Sequence, residues 1–179
     1  MIKTYNMKQE YTYWLALANA ENIYIRRKNE ILAKIHEDNS SLAHFFTEEN
    51  NWKSSFDLSQ DEIQSLLQEK EKLNNYSFIV EDLLEQGYQI IPIFSSDYPK
   101  TLKRNLKFSS PILLYAYGNI ELLNKESVAI VGSRNANDTS LNFTDNIASL
   151  SVSDGLVIVS GYAKGVDRQA LDSAIRNGG

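Results

Sequence analysis

The 179 residues contain no cysteine. That excludes a disulfide framework and a thiolate metal site, and it fits a reducing compartment, so the expected location is cytoplasmic. Imidazoles are nearly absent too. His36 and His44 are the only two, and both lie far along the chain from the glycine corners described below. No histidine-based catalytic dyad is expected there. No apolar run approaches the ~20 residues of a membrane span, and the stretch Met1 to Glu10 is polar, so no membrane association is expected. A general excess of positive charge is missing as well. The net charge is −5, which does not suit a protein that wraps duplex DNA.

Charge is unevenly spread. Residues 1–96 carry a net −6 and residues 97–179 a net +1. The cluster Lys100, Lys103, Arg104 and Lys107 lies in the second part, with a solvated helix face and a DNA track as its two readings.

What the sequence does have is a pair of matching corners. Val128-Ala129-Ile130-Val131 is a continuous apolar run that reads as a strand buried on both faces of a parallel sheet. Gly132 turns the chain at its carboxyl end, where open α/β sheets bind ligands. Ser133 and Arg134 then supply a hydroxyl, backbone amides and a fixed positive charge. About thirty residues on, Leu156 to Val159 repeats the apolar run. Ser160, Gly161, Tyr162, Ala163, Lys164 and Gly165 follow it. Between the two runs, Leu141, Phe143, Ile147, Ala148, Leu150 and Val152 mark a helix over Thr139 to Val152, closed by Asp154-Gly155. Strand, helix, strand, helix is a βαβ unit, right-handed on base rates. Both corners then face one crevice.

Upstream the texture is helical. Tyr11 to Ala18 and Ile23 to Ile35 fit buried helical faces, with Arg26-Arg27-Lys28 read as a solvated side. Leu42, Phe45, Phe46, Trp52 and Phe56 form an aromatic cluster. Ser59-Gln60-Asp61-Glu62 is a capping box opening a helix with Ile63, Leu66 and Leu67. A further helix over Phe78 to Leu84 ends at Gly87. From Gln89 the pattern turns to strand, with Pro92 at its edge or end. Tyr98-Pro99 starts a turn, Lys100 to Leu106 a short helix, and Pro111 to Tyr115 another strand. The expected division is 1–87, a small all-α domain, and 88–179, an α/β domain with a Rossmann-like parallel sheet truncated in its C-terminal half. Unpaired sheet edges favour a fragment, or a partner that supplies the missing edge.

The ordered set Tyr98-Pro99, Pro111 to Tyr115 with Gly118-Asn119, Val128 to Arg134, and Ser160 to Asp167 resembles the DNA-processing protein A family (DprA, also called Smf). The resemblance covers residues 90–179, and the helical front fits the family more loosely. It implies an extended Rossmann fold that binds single-stranded DNA and helps load a RecA-type recombinase in natural transformation. It carries Arg134 and Lys164 into the DNA pocket. Amides at Gly132, Ser133, Ser160 and Gly161, with Gly165 beside them, are the expected phosphate cradle. Self-association is implied through a later half of the Rossmann domain. The chain departs from the family pattern at Ser140, where a glycine is usual, at Leu171, where a histidine is usual, and in lacking helix-hairpin-helix glycines between Asn19 and Arg27.

Competing readings stay open at several positions. Gly132 and Gly161 have a second, less favoured reading as plain turn glycines. Arg134 is either a phosphate contact or an ion-pair partner of Asp138 or Asp167. Asp167 reads as structural, with no metal-ligand cluster around it. Tyr162 either stacks on a base or packs on the sheet edge. No catalytic residue, metal or cofactor is expected. The other functional class is a nucleotide-binding enzyme or sensor of phosphoribohydrolase type. Against it, the glycine-rich run such an enzyme needs is absent before Gly179, and Gly132 to Asn137 lacks the second and third glycines of a dinucleotide fingerprint.

Overall fold

The computed structural model describes the backbone of residues 2–179 and the side chains of residues 8–179. It is an α/β structure, mostly helical with small sheets. The first six helices are α1 (Ile2–Asn19), α2 (Ile25–Glu37), α3 (Leu42–Thr47), α4 (Asn50–Phe56), α5 (Gln60–Glu71) and α6 (Leu73–Glu85). Strand β1 (Tyr88–Pro92), helix α7 (Lys100–Leu106) and strand β2 (Leu113–Tyr117) follow, then β3 (Ser127–Ala129), α8 (Asp138–Ser153), β4 (Val157–Val159) and α9 (Val166–Arg176). The chain forms two compact units, Met1–Ile120 and Glu121–Gly179.

The first unit is held by one apolar cluster. Trp14, Leu15 and Leu17 of α1 pack with Phe45, Phe46, Trp52 and Leu66. Phe45 stands edge-on to Phe46 at 5.5 Å, and the Trp52 indole N–H donates to the Phe45 carbonyl at 2.7 Å. Burying an indole is favourable only when its N–H finds such a partner. The capping box forms as the spacing requires: Ser59 Oγ accepts the Glu62 amide, and Glu62 Oε2 accepts the Ser59 amide. The next helix starts earlier than its pattern suggests, at Leu73, and Gly87 follows its end with φ +84°.

The basic triplet is a correction. Only Arg26 lies on a solvated face. Arg27 reaches across to the carbonyls of Phe56 and Asp57 at 2.6 and 3.0 Å and to Glu62 at 3.2 Å. Lys28 is buried and donates to the Ala18 carbonyl at 2.6 Å. A run of three cations on a helix spans most of one turn, so not all of them face water.

The packing division also falls later than residue 87. Strands β1 and β2 pair antiparallel, with Ile90 opposite Tyr115 and Pro92 opposite Leu113. Ile90, Ile91, Ile93, Tyr98, Ile112 and Leu113 belong to the same buried cluster as the helices. Asn29 of α2 fastens this segment by donating to the carbonyls of Phe108 and Ser110. Pro92 ends its strand, where its missing N–H costs no ladder bond.

In the second unit β3 and β4 pair parallel, Val128 opposite Ile158. Helices α8 and α9 pack on each other around Ala148, Ala170 and Ala174, with Val128, Ile130 and Ile158 against them. The apolar runs are therefore not buried on both faces. Alternate residues Val131 and Val159 are 75% and 51% exposed, because side chains alternate along a strand and both helices meet the same face.

Candidate functional site

The two corners leave the carboxyl ends of β3 and β4 side by side. The Ile130 amide extends the pairing to the Val159 carbonyl at 3.0 Å. Beyond it, the Val166 amide donates to the Ser133 carbonyl, and the Gly132 amide donates to Asp167 Oδ1 at 3.0 Å. The start of α9 is thus stitched to the first corner. A Cβ on Gly132 would fall 2.8 Å from the Val166 side chain, and one on Gly165 would fall 2.2 Å from the Ser133 carbonyl oxygen. Gly165 also takes φ +92° and ψ −131°. Both glycines are required by close approach of the corners, whatever else they do.

One of the four amides of the expected phosphate cradle, that of Gly132, is already engaged, and so are the two serine hydroxyls. The Gly132 amide serves Asp167, and Gly161 stands so close to that carboxylate that a Cβ would sit 3.1 Å from it. Ser133 Oγ accepts the Asn135 amide, and Ser160 Oγ donates to the Ile130 carbonyl at 2.7 Å. Asp167 is structural, as the sequence suggests, but it clamps the first corner rather than capping its own helix.

The cationic side chains converge differently. A groove of about 420 Å³ is lined by Arg134, Asn135, Ala136, Leu141, Lys164, Gly165, Arg168, Gln169 and Asp172. Arg134 and Lys164, thirty residues apart in sequence, therefore share one concavity. Among the described residues, Arg134 forms no ion pair with Asp138, Asp167 or any other carboxylate. The Lys100 to Lys107 cluster belongs to the first unit, where Lys103 donates to the Ile93 carbonyl and lies 5.0 Å above the Phe94 ring.

Sequence reasoning missed Arg168. Its guanidinium lies 5.1 Å from the Tyr162 ring centroid, and the Tyr162 hydroxyl donates to Asp172 Oδ1 at 3.2 Å. The Tyr162 side chain first, and Asp172 after it, raise the Arg168 pKa above its ordinary value. Tyr162 itself adopts φ +54°. The signal available was the spacing of Arg168 and Asp172, four apart on one helix face. Neighbouring Asp145 accepts from Gln169 and from Arg176, which fastens α8 to α9. Among the described residues no group of three or more His, Cys, Asp or Glu side chains is placed to hold a metal ion. No helix among them is long and apolar enough to cross a membrane.

Comparison with known proteins gives a consistent picture. The family model described as DNA recombination-mediator protein A matches residues 89–179, just over half of the chain. The DNA processing protein DprA of Streptococcus pneumoniae is 34% identical over 110 residues, covering 60% of this chain and 38% of that protein. Bacillus subtilis DprA is 36% identical over 93 residues, covering 51% and 31%. Protein Smf of Synechocystis is 28% identical over 181 residues, covering 95% and 42%. The chain thus spans roughly two fifths or less of the length of these relatives. The X-ray structure of S. pneumoniae DprA superimposes with a TM-score of 0.71 at 21% identity, covering 94% of this chain and 55% of that one.

Proposed function

Because the chain belongs to the DNA recombination-mediator protein A family (DprA/Smf), we propose that it binds single-stranded DNA along the Arg134–Lys164 groove without catalysing a reaction on it. The observation that carries this reading is the convergence of the two corner cations in one groove. The second unit holds five Lys or Arg against seven Asp or Glu, so cations lining a single concavity are a local concentration against an acidic background. Such a groove focuses positive potential where a phosphate chain runs. A flexible single strand can follow the strand ends and the loop between them, whereas a stiff duplex presents its phosphates on a wide cylinder.

Delivery of that strand to a RecA-type recombinase, during DNA uptake and recombination, is the activity the family resemblance suggests. Pairing into a homodimer is part of the same proposal. The cytoplasm is the compartment proposed for it.

The phosphoribohydrolase-like alternative needs a free carboxylate beside the bound sugar. The one carboxylate lining the groove, Asp172, accepts the Tyr162 hydroxyl. This favours the binder.

Fluorescence anisotropy with oligo-dT and a duplex of equal length tests the proposal. The single strand is expected to bind more tightly, and Arg134→Ala and Lys164→Ala are each expected to flatten the logarithmic salt dependence by about 0.7. Duplex binding as tight as single-strand binding would refute it.

A further inference from the structure

The groove contains a third cation that neither corner supplies. Arg168 lies on the first turn of α9, its side chain exposed, and lines the same concavity as Arg134 and Lys164. Three of the five cations of the second unit therefore meet in one groove. Among the described residues none of the three is neutralised in an ion pair. Asp172, the one carboxylate lining the groove, accepts the Tyr162 hydroxyl and keeps its charge near Arg168 without pairing with it.

Arg168 is also held in place. Its guanidinium lies over the Tyr162 ring, and that ring is tethered through its hydroxyl to Asp172, one helical turn beyond Arg168. Tyr162 pays for this position with a left-handed backbone, φ +54°. An aromatic residue rarely adopts that conformation unless its surroundings fix it, and such outliers concentrate where ligands are bound. A guanidinium carries five N–H groups, and the contact with Tyr162 engages only part of them. Being planar, it can give two of them to one phosphate.

We propose that Arg168, positioned by Tyr162, is a third phosphate contact for single-stranded DNA, so that the groove grips three phosphates rather than two. This rests on the single-strand reading of the groove. In it Tyr162 acts as a positioning residue, spending its ring on Arg168 rather than on a base.

The test uses the full chain, oligo-dT as the probe, and salt titrations of wild type, Arg134→Ala, Arg168→Ala, Arg168→Lys and Tyr162→Gly, with melting temperatures on the same samples. Arg168→Ala is expected to lower the salt slope by about 0.7. Raising salt from about 50 to about 200 mM then weakens wild type about 2.6-fold more than the variant. Arg168→Lys is expected to keep the slope and lose affinity. Tyr162→Gly relieves the backbone and removes the ring, so it is expected to keep the slope and the melting temperature while losing affinity. An unchanged slope in folded Arg168→Ala, beside a lowered slope in Arg134→Ala, overturns the third contact and leaves the groove reading standing. Wild-type protein that fails to bind oligo-dT, or a slope indifferent to both arginines, overturns the two together.

Discussion

At the scale of single residues, Gly165 carries the tightest requirement in the second unit. A methyl group there would meet the Ser133 carbonyl oxygen at 2.2 Å and the Arg134 backbone at 2.9 Å, and φ is +92°. Gly155 has φ +78° and nothing within 4 Å of its would-be Cβ. Gly155→Ala is therefore expected to cost only left-handed strain, roughly 1–2 kcal/mol. Gly165→Ala adds a backbone collision and is expected to cost about 3 kcal/mol or more. Urea unfolding of the two variants checks this, and equal losses would show that the corners are not pressed together. The sequence made Gly165 legible as a corner glycine, but not why it is needed. Its reason is the approach of a segment thirty residues away. Arg168 was hidden for a similar cause: its partner Tyr162 sits before the helix, where the 3.6-residue period of α9 does not reach.

Elements joined by side chains rather than by apolar faces give a different kind of prediction. Arg27 of α2 donates to the Phe56 and Asp57 carbonyls, where the chain turns through a left-handed residue between α4 and α5, and it pairs with Glu62 of the capping box. Its neighbour Arg26 meets only Glu30 among the described residues, with 76% of its side chain exposed. Arg27→Ala is expected to destabilise by about 1.5–3 kcal/mol, as a charged donor leaves two carbonyls unserved. Arg26→Ala is expected to change stability by less than about 0.5 kcal/mol. Neither should alter the salt slope for single strands, since both lie in the first unit. Thermal melts and salt titrations of the pair separate structure from binding, and a flattened slope in Arg26→Ala would restore the nucleic-acid reading of the triplet. Elements were the most legible level of this chain. The capping box, the aromatic cluster and the strand–helix–strand order are local patterns, and local patterns survive folding. Burial of the β3 and β4 runs was not legible, because an apolar run shows that a strand can be covered, not that its neighbours cover it.

For the molecule as a whole, the division at residue 120 explains where pH should act. It was not legible from composition, since residues 88–120 look like the start of an α/β domain and yet bury Ile90, Ile91 and Leu113 with the helices. That unit also holds Tyr11, Tyr76, Tyr98 and Tyr115, each with its pKa pushed above 10.0 by burial. Tyr76 is held further by its hydrogen bond to buried Glu69. Each of these phenols stays protonated in the folded unit at a pH where the unfolded chain has lost the proton. Their stabilising contribution is complete below pH 10 and is lost as pH rises beyond it. Lys28 works the other way. Burial lowers its pKa from 10.5, so its charging penalty fades as pH climbs toward that value. Above about pH 10.5 the tyrosines act without that offset. Both tryptophans, Trp14 and Trp52, are buried in the same unit, so indole fluorescence reports its unfolding alone. The melting temperature followed this way is expected to fall steadily from about pH 10.5 to about pH 11.5. Tyr76→Phe removes one titrating phenol and should make the fall shallower, while lowering stability at neutral pH through the lost bond to Glu69. A melting temperature that stays level across that range in wild type would mean that these phenols ionise as freely in the folded unit as in the unfolded chain.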